Sequence, residues 1–363
     1  MTVAYVLEQN ASVNREGERL LIKKDGKVLH ALHLFKLDQL VLFGNVFLTP
    51  AAVSHLLRLG VDTVFMSRQG HYRGRLQPAF SKNITLRCEQ FKKMSQETFC
   101  LKTAQAIVSG KLANMRTVLL RLNRNREGLR LEDHILSLKQ LALKTAEAES
   151  LDSVRGFEGR GAVLHFEGLS RGFLAEGVEF KKRVRRPPTD PVNALLSLGY
   201  TLLFNTVMAG VSLVGLDPFL GCLHTVDYGR PSLALDLMEE WRPVIVDTLV
   251  LSVFNLKVIG LEEFVSGEIS TEDLEDEDRK DPLENGNDQR EAMQDSPPAL
   301  PVKLTEDGFR KFITQFERKM NQKVTFHLTG QQYTYRDCIR EQIRHFARYV
   351  RGEEDSYKPT PVR

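Results

Sequence analysis

Along the first 85 residues the apolar positions come in short runs, several alternating with polar ones, as strands half buried on one face require. Thr2–Leu7, Arg19–Lys23, Lys27–Ala31 and Gln39–Phe43 are such runs, and Asp25-Gly26 separates two of them as a two-residue hairpin turn does. Thr49-Pro50 reads as the cap and first turn of a short helix that ends at Leu59-Gly60, after which Val61–Ser67 returns to strand. From about Phe91 the apolar period lengthens to that of a helix and stays there. Helices are predicted over 102–123, 132–147, 153–166, 193–214, 233–254, 305–319 and 335–351, with Pro243 expected to kink or break the fifth. The fold class expected is α+β. An N-terminal β-rich domain over 1–85 is joined to a larger, mainly α-helical domain over 86–363.

Two stretches interrupt the helical pattern. Residues 181–186 read Lys-Lys-Arg-Val-Arg-Arg and run into Pro187-Pro188, which cannot continue a helix. Residues 261–300 form an acidic insert, expected to be flexible because its charge is high and its apolar content low. Between 261 and 295 there are 14 acidic and 3 basic residues, a local charge of −11. The whole chain carries only +3, so the remainder carries +14, which suits a polyanionic partner.

Composition excludes several classes. With 363 residues, 42% of them hydrophobic, the chain buries more than one core. Its most apolar stretch, 194–216, is interrupted by Ser197, Asn205 and several glycines and threonines. It therefore reads as a buried helix, not a membrane span of roughly 20 apolar residues. No basic patch leads into an apolar run at the N-terminus, so a cytoplasmic protein with no membrane partner is expected. Cys88, Cys100, Cys222 and Cys338 have neither paired zinc spacing nor the density of a disulfide scaffold, and read as free thiols.

Three places hold acidic or imidazole groups in unusual company. Glu158 lies in Arg155-Gly-Phe-Glu-Gly-Arg160-Gly, where glycines weaken the helix but admit a second backbone or a substrate. An Arg–Glu surface pair is the plain alternative. His224 follows Gly221-Cys-Leu, and a lone histidine is often a structural hydrogen-bonder. Asp236 and Glu239 are three residues apart, hence on one helix face, inside an apolar run instead of on a solvated acidic edge. Mixed oxygen and nitrogen donors suit magnesium or manganese better than zinc, and such ions neutralise phosphate charge and activate hydroxyls. Spacing alone does not bring the three places together.

Taken in order, these segments resemble the CRISPR-associated endonuclease/integrase family, the catalytic subunit of the spacer-acquisition machinery. Residues 40–49, 60–67 and 70–76 resemble its β-domain signatures; 155–160, Leu223-His224 and 236–243 resemble its three ligand motifs. Trp241 stands where phenylalanine is commoner, and 304–309 and 333–336 resemble family segments nearer the C-terminus. The resemblance implies an N-terminal β domain used in dimerisation and partner contact, an α-helical catalytic domain, a homodimer and a small ferredoxin-like partner subunit. It implies Glu158, His224 and Glu239 as ligands of Mg2+ or Mn2+, with Asp236 behind them or as an alternate ligand. It also implies 3′-OH attack by short duplex DNA on a repeat array.

For DNA, the candidate contacts are Arg155, Arg160 and Arg242 beside the ligands and Lys181, Lys182, Arg183, Arg185 and Arg186 in the basic loop. Lys111, Arg116, Arg121, Arg124 and Arg126 form a further basic series along one helix and its exit. Two other readings stay open: a metal-dependent nuclease for branched DNA, and a non-catalytic DNA-binding scaffold.

Overall fold

A computed structural model describes residues 2–77, 83–184, 187–267 and 300–361. Arg185, Arg186 and the acidic insert from 268 to 299 lie outside the described residues. The chain divides into two compact units, with the boundary after residue 81.

The first unit holds strands β1 (Val3–Val6), β2 (Ala11–Glu16), β3 (Arg19–Lys24), β4 (Lys27–His33), β5 (Gln39–Phe43), β6 (Val46–Leu48), β7 (Asp62–Met66) and β8 (Tyr72–Leu76), with helix α1 (Pro50–Leu59). They form two four-stranded sheets, ordered β1-β5-β7-β8 and β4-β3-β2-β6. In the first, β1, β5 and β7 run parallel and β8 antiparallel. Asp25 and Gly26 both have positive φ, the conformation that a tight turn between β3 and β4 requires. Thr49 caps α1 by accepting from the Ala52 N–H, and Gly60 closes it in the left-handed region. Val6, Val13, Leu20, Leu40, Leu42 and Leu56 are among the residues of this unit's core. The strands β2, β6 and β8 lie outside the runs that the pattern predicts; β6 has only three residues and β8 has little apolar content.

The second unit is helical: α2 (Ile84–Met94), α3 (Glu97–Asn125), α4 (Glu132–Ala146), α5 (Leu151–Ser170), α6 (Pro191–Val214), α7 (Ser232–Met238), α8 (Thr248–Asn255), α9 (Glu306–Met320) and α10 (Tyr335–Arg351). Two short antiparallel strand pairs accompany them, β9 (Phe264–Ser266) with β10 (Val302–Leu304) and β11 (Lys323–Thr325) with β12 (Gln332–Thr334). α6 is long and apolar enough to cross a membrane, yet 94% of its apolar window is buried inside the protein, so it is a core helix. α3 and α5 approach closely. A Cβ on Gly161 would lie 2.1 Å from Leu112 Cδ2, and one on Gly168 would lie 2.7 Å from Leu119 Cδ1. Gly156 and Gly159 meet nothing within 4 Å, so only the third glycine of the Glu158 motif serves helix packing.

The helix expected over 233–254 is two helices joined by a π-helical turn at Pro243–Asp247. Proline has no N–H to close an α-turn and its ring collides with the preceding turn, and the wider turn relieves both.

Candidate metal centre

Each candidate side chain reaches the centre from a different element. Glu158 projects from the middle of α5, His224 from the loop after α6, and Glu239 from the end of α7. Glu158 is 25% exposed while Glu239 is 2% exposed, so the centre opens toward solvent on the α5 side. Between the two glutamates stands Lys111 of α3, itself 3% exposed, whose Nζ donates to Glu158 Oε1 and forms an ion pair with Glu239 Oε2. Arg242 Nη1 lies 3.1 Å from Glu239 Oε1, and His224 Nε2 faces the same oxygen at 3.8 Å.

The charges set the protonation. Burial alone raises the Glu239 pKa, but Arg242, Lys111 and His224 outweigh it and hold the carboxyl down at about 2. Burial pulls the Lys111 pKa down, yet Glu158 and Glu239 leave it above its ordinary value. Both carboxylates thus face a cation, as buried charges must.

Asp236 stands behind His224. It is fully buried, and its Oδ2 accepts from the Cys222 and Leu223 N–H groups at 2.6 and 2.9 Å. Its Oδ1 is 2.9 Å from the His224 N–H and 2.7 Å from His224 Nδ1. This carboxylate therefore holds the whole 222–224 loop and commits Nδ1, which leaves Nε2 to face Glu239. The close fit requires glycine at 221, where a Cβ would lie 2.7 Å from Asp236 Oδ2 and from the Ser232 carbonyl carbon.

A second buried network braces Arg242. Its guanidinium stacks on Tyr200, 5.0 Å from the ring centre. The Tyr200 hydroxyl donates to Asp247 Oδ1 at 2.5 Å, and His165 Nε2 lies 2.8 Å from Asp247 Oδ2. Asp247 sits in the π-helical turn, so that turn serves the centre. Behind Glu239, residues 357–360 close over Glu240: Tyr357 Oη donates at 2.5 Å and the Thr360 N–H donates to the other oxygen. Asn114 of α3 donates to the backbone oxygens of both Glu240 and Thr360 at 2.9 Å, and Pro359 packs on Gly110.

The other basic candidates divide by surroundings. Arg155 donates from Nε to the Leu223 carbonyl at 2.8 Å and pairs with Asp152, so it tethers the His224 loop. Arg183 is bound to Asn193 and Ser197 of α6 at 2.8 and 3.0 Å. Arg160, Lys181 and Lys182 are exposed, and Arg242 is half-buried against Glu239. Lys111 is not on a DNA-facing surface; it is inside the centre. The sequence carried that signal, because Ile107, Val108, Met115 and Val118, three to seven residues away on the same helix face, are all buried.

The donor set suits a hard divalent cation: two carboxylates drawn to one positive charge, with an imidazole oriented from behind. Among the described residues, however, no three His, Cys, Asp or Glu side chains form a ready-made ligand sphere, and Lys111 bridges the glutamates instead.

Residues 4–287 match the family described as CRISPR associated protein Cas1. The chain is 35% identical to CRISPR-associated endonuclease Cas1 3 of Thermus thermophilus, over 99% of this chain and 97% of that one. Two solved structures have the same fold. A casposase bound to integration product covers 99% of this chain with a TM-score of 0.80 and 21% identity, and this chain covers 93% of it. A Cas6-RT-Cas1–Cas2 complex covers 100% of this chain with a TM-score of 0.80 and 22% identity, and this chain spans only 36% of that longer chain. With the family match over most of its length and a relative above 30% identity end to end, the chain belongs to the Cas1 family.

Proposed function

We propose that this chain is a metal-dependent DNA endonuclease and integrase that inserts short duplex DNA into a CRISPR repeat array. The observation that carries the reading is the convergence of Glu158, His224 and Glu239 from three separate elements, with Asp236 holding the histidine, in a chain of the Cas1 family. Glu158 Oε1, Glu239 and His224 Nε2 would hold Mg2+ or Mn2+. That ion, when bound, neutralises phosphate charge and favours the deprotonated hydroxyl. Asp236 fixes the imidazole tautomer, and Arg155 fixes the loop that carries it. Exposed Arg160, Lys181 and Lys182 supply phosphate contacts that set affinity without reading sequence. The 3′-oxygen of the incoming strand forms the new bond to phosphorus, and the target's 3′-oxygen leaves and takes a proton. The casposase neighbour, solved with an integration product, supports joining as the chemistry. The Cas1–Cas2 neighbour supports a Cas2-type partner. To the β-sheet unit we assign contact with that partner and with a second copy of the chain, in a cytoplasmic homodimer.

A second reading uses water in place of the 3′-hydroxyl and makes the chain a nuclease for branched DNA; the endonuclease name of the relative favours it. Purified protein, with a Cas2-type partner supplied, is tested for joining of labelled duplex to supercoiled plasmid. Joining is expected with magnesium or manganese and absent with EDTA and in His224→Ala. Joining that survives either treatment overturns the metal centre. Free fragments without joined product favour the nuclease, and binding without strand chemistry favours a scaffold.

A further inference from the structure

Lys111 stands where the two acidic ligands converge, and its burial makes the arrangement more than a surface ion pair. Its neighbours along α3, Val108, Leu112 and Met115, are buried and apolar, and Asn114 is committed to the Glu240 and Thr360 carbonyls. The ammonium therefore has the carboxylates of Glu158 and Glu239 as its charged partners. Arg242 supplies a second positive charge to Glu239. Lys111 and Arg242 balance the two ligand carboxylates, and Asp236 and Asp247 add negative charge behind His224 and Arg242. A divalent ion added while Lys111 stays in place would share the carboxylate oxygens with an ammonium, and like charges so close repel. The repulsion is relieved when Lys111 turns away from the glutamates toward an anion that arrives with the ion.

We propose that Lys111 is an exchangeable internal cation. It occupies the glutamates in the free protein, opposes metal loading without DNA, and releases them when a phosphodiester enters to take its charge. Metal and DNA phosphate then bind with positive coupling, and Lys111 is the residue through which they are coupled. This inference rests on the metal-centre reading above and adds to it an order of assembly: the centre loads fully only on its substrate. Lys111 is here a positioning residue for the metal, and its long stem allows the ammonium to move a few ångströms while the helix stays in place.

The test measures bound Mn2+ directly, from loss of the free-ion electron paramagnetic resonance signal, so that catalysis is not the readout. Wild type, Lys111→Met and Glu158→Gln are titrated with and without a duplex whose strands end in 3′-deoxynucleotides and cannot be joined. In wild type the duplex is expected to tighten Mn2+ by about tenfold, within the usual range of coupling. In Lys111→Met, Mn2+ is expected to bind about tenfold more tightly than in wild type without DNA, and the duplex to add little. Should Lys111→Met unfold in EDTA, Mn2+ is expected to restore its folded circular dichroism, since the ion replaces the missing positive charge. Equal or weaker Mn2+ binding by folded Lys111→Met, or no restoration of an unfolded one, overturns the exchange. If wild type binds Mn2+ in a Glu158-dependent manner while Lys111→Met is unchanged, exchange alone falls. If wild type binds none with or without DNA, the metal centre falls with it.

Discussion

At the scale of single residues, Asp236 does more than its charge suggests. One carboxylate satisfies three consecutive backbone N–H groups and an imidazole nitrogen, so the loop and the tautomer are set by the same group. Asp236→Asn keeps the size but turns an amide NH2 toward donors that need an acceptor. It is expected to weaken Mn2+ binding by about 10- to 100-fold, the usual effect of removing a ligand's supporting partner. Calorimetric titration checks this, and unchanged affinity would show that the loop holds itself. The sequence made Glu158, His224 and Glu239 legible because glycines, an isolated histidine and a carboxylate in an apolar run are locally odd. By charge alone Lys111 belongs with the basic series of α3. Its place on the apolar face of α3 is the better guide, since a lysine there must find an acid.

At the scale of elements, the centre depends on how closely α3 and α5 approach, because Lys111 adjoins Leu112 on one and Glu158 lies one turn before Gly161 on the other. Gly161→Ala would gain about 1 kcal/mol of helix propensity. It would also place a methyl group against the buried Leu112 side chain, and overpacking typically costs about 1–3 kcal/mol. The net expectation is a loss of stability in urea unfolding, recovered in part by adding Leu112→Ala. Strictly additive effects would mean that the two sites do not touch. Helices were legible because their periodic stretches are long. The π-helical turn was not: Pro243 announced a break, but its form depends on Asp247 finding Tyr200 and His165, which are distant in sequence. β6, with three residues, is too short for alternation to show, and β8 has little apolar content.

For the whole molecule, buried carboxylates give stability an uncommon pH dependence. Burial pushes Glu240 up to about 7, against the donors from Tyr357 and Thr360, from an ordinary value of 4.5. The folded state therefore holds a proton that the unfolded chain releases above pH 4.5. Stability from this group falls as pH rises between those values, by on the order of 3 kcal/mol. Glu239 acts oppositely: with its carboxyl held at about 2, its contribution is present above 4.5 and is lost as pH falls toward 2. Glu240→Gln is thus expected to match wild type near pH 4.5 and to exceed it in stability at pH 8, both in EDTA. Thermal unfolding at the two values tests this, and a gap that does not widen with pH would remove Glu240 as the cause. The division into a strand-rich and a helical unit was legible from the change in period. The two-sheet arrangement was not, because parallel pairing of β1, β5 and β7 joins runs far apart in sequence.

The closure of residues 357–360 over Glu240 also bears on when the centre is completed during synthesis. Lys111, Glu158, His224 and Glu239 have all been synthesised long before Tyr357 and Thr360, yet the segment carrying the last two ties α3 to the residues beside Glu239. Contacts so distant along the chain form late in folding. A ribosome-bound chain would then hold Glu158, His224 and Glu239 and still lack the brace behind them, so the centre would be completed only after residues 357–360 emerge.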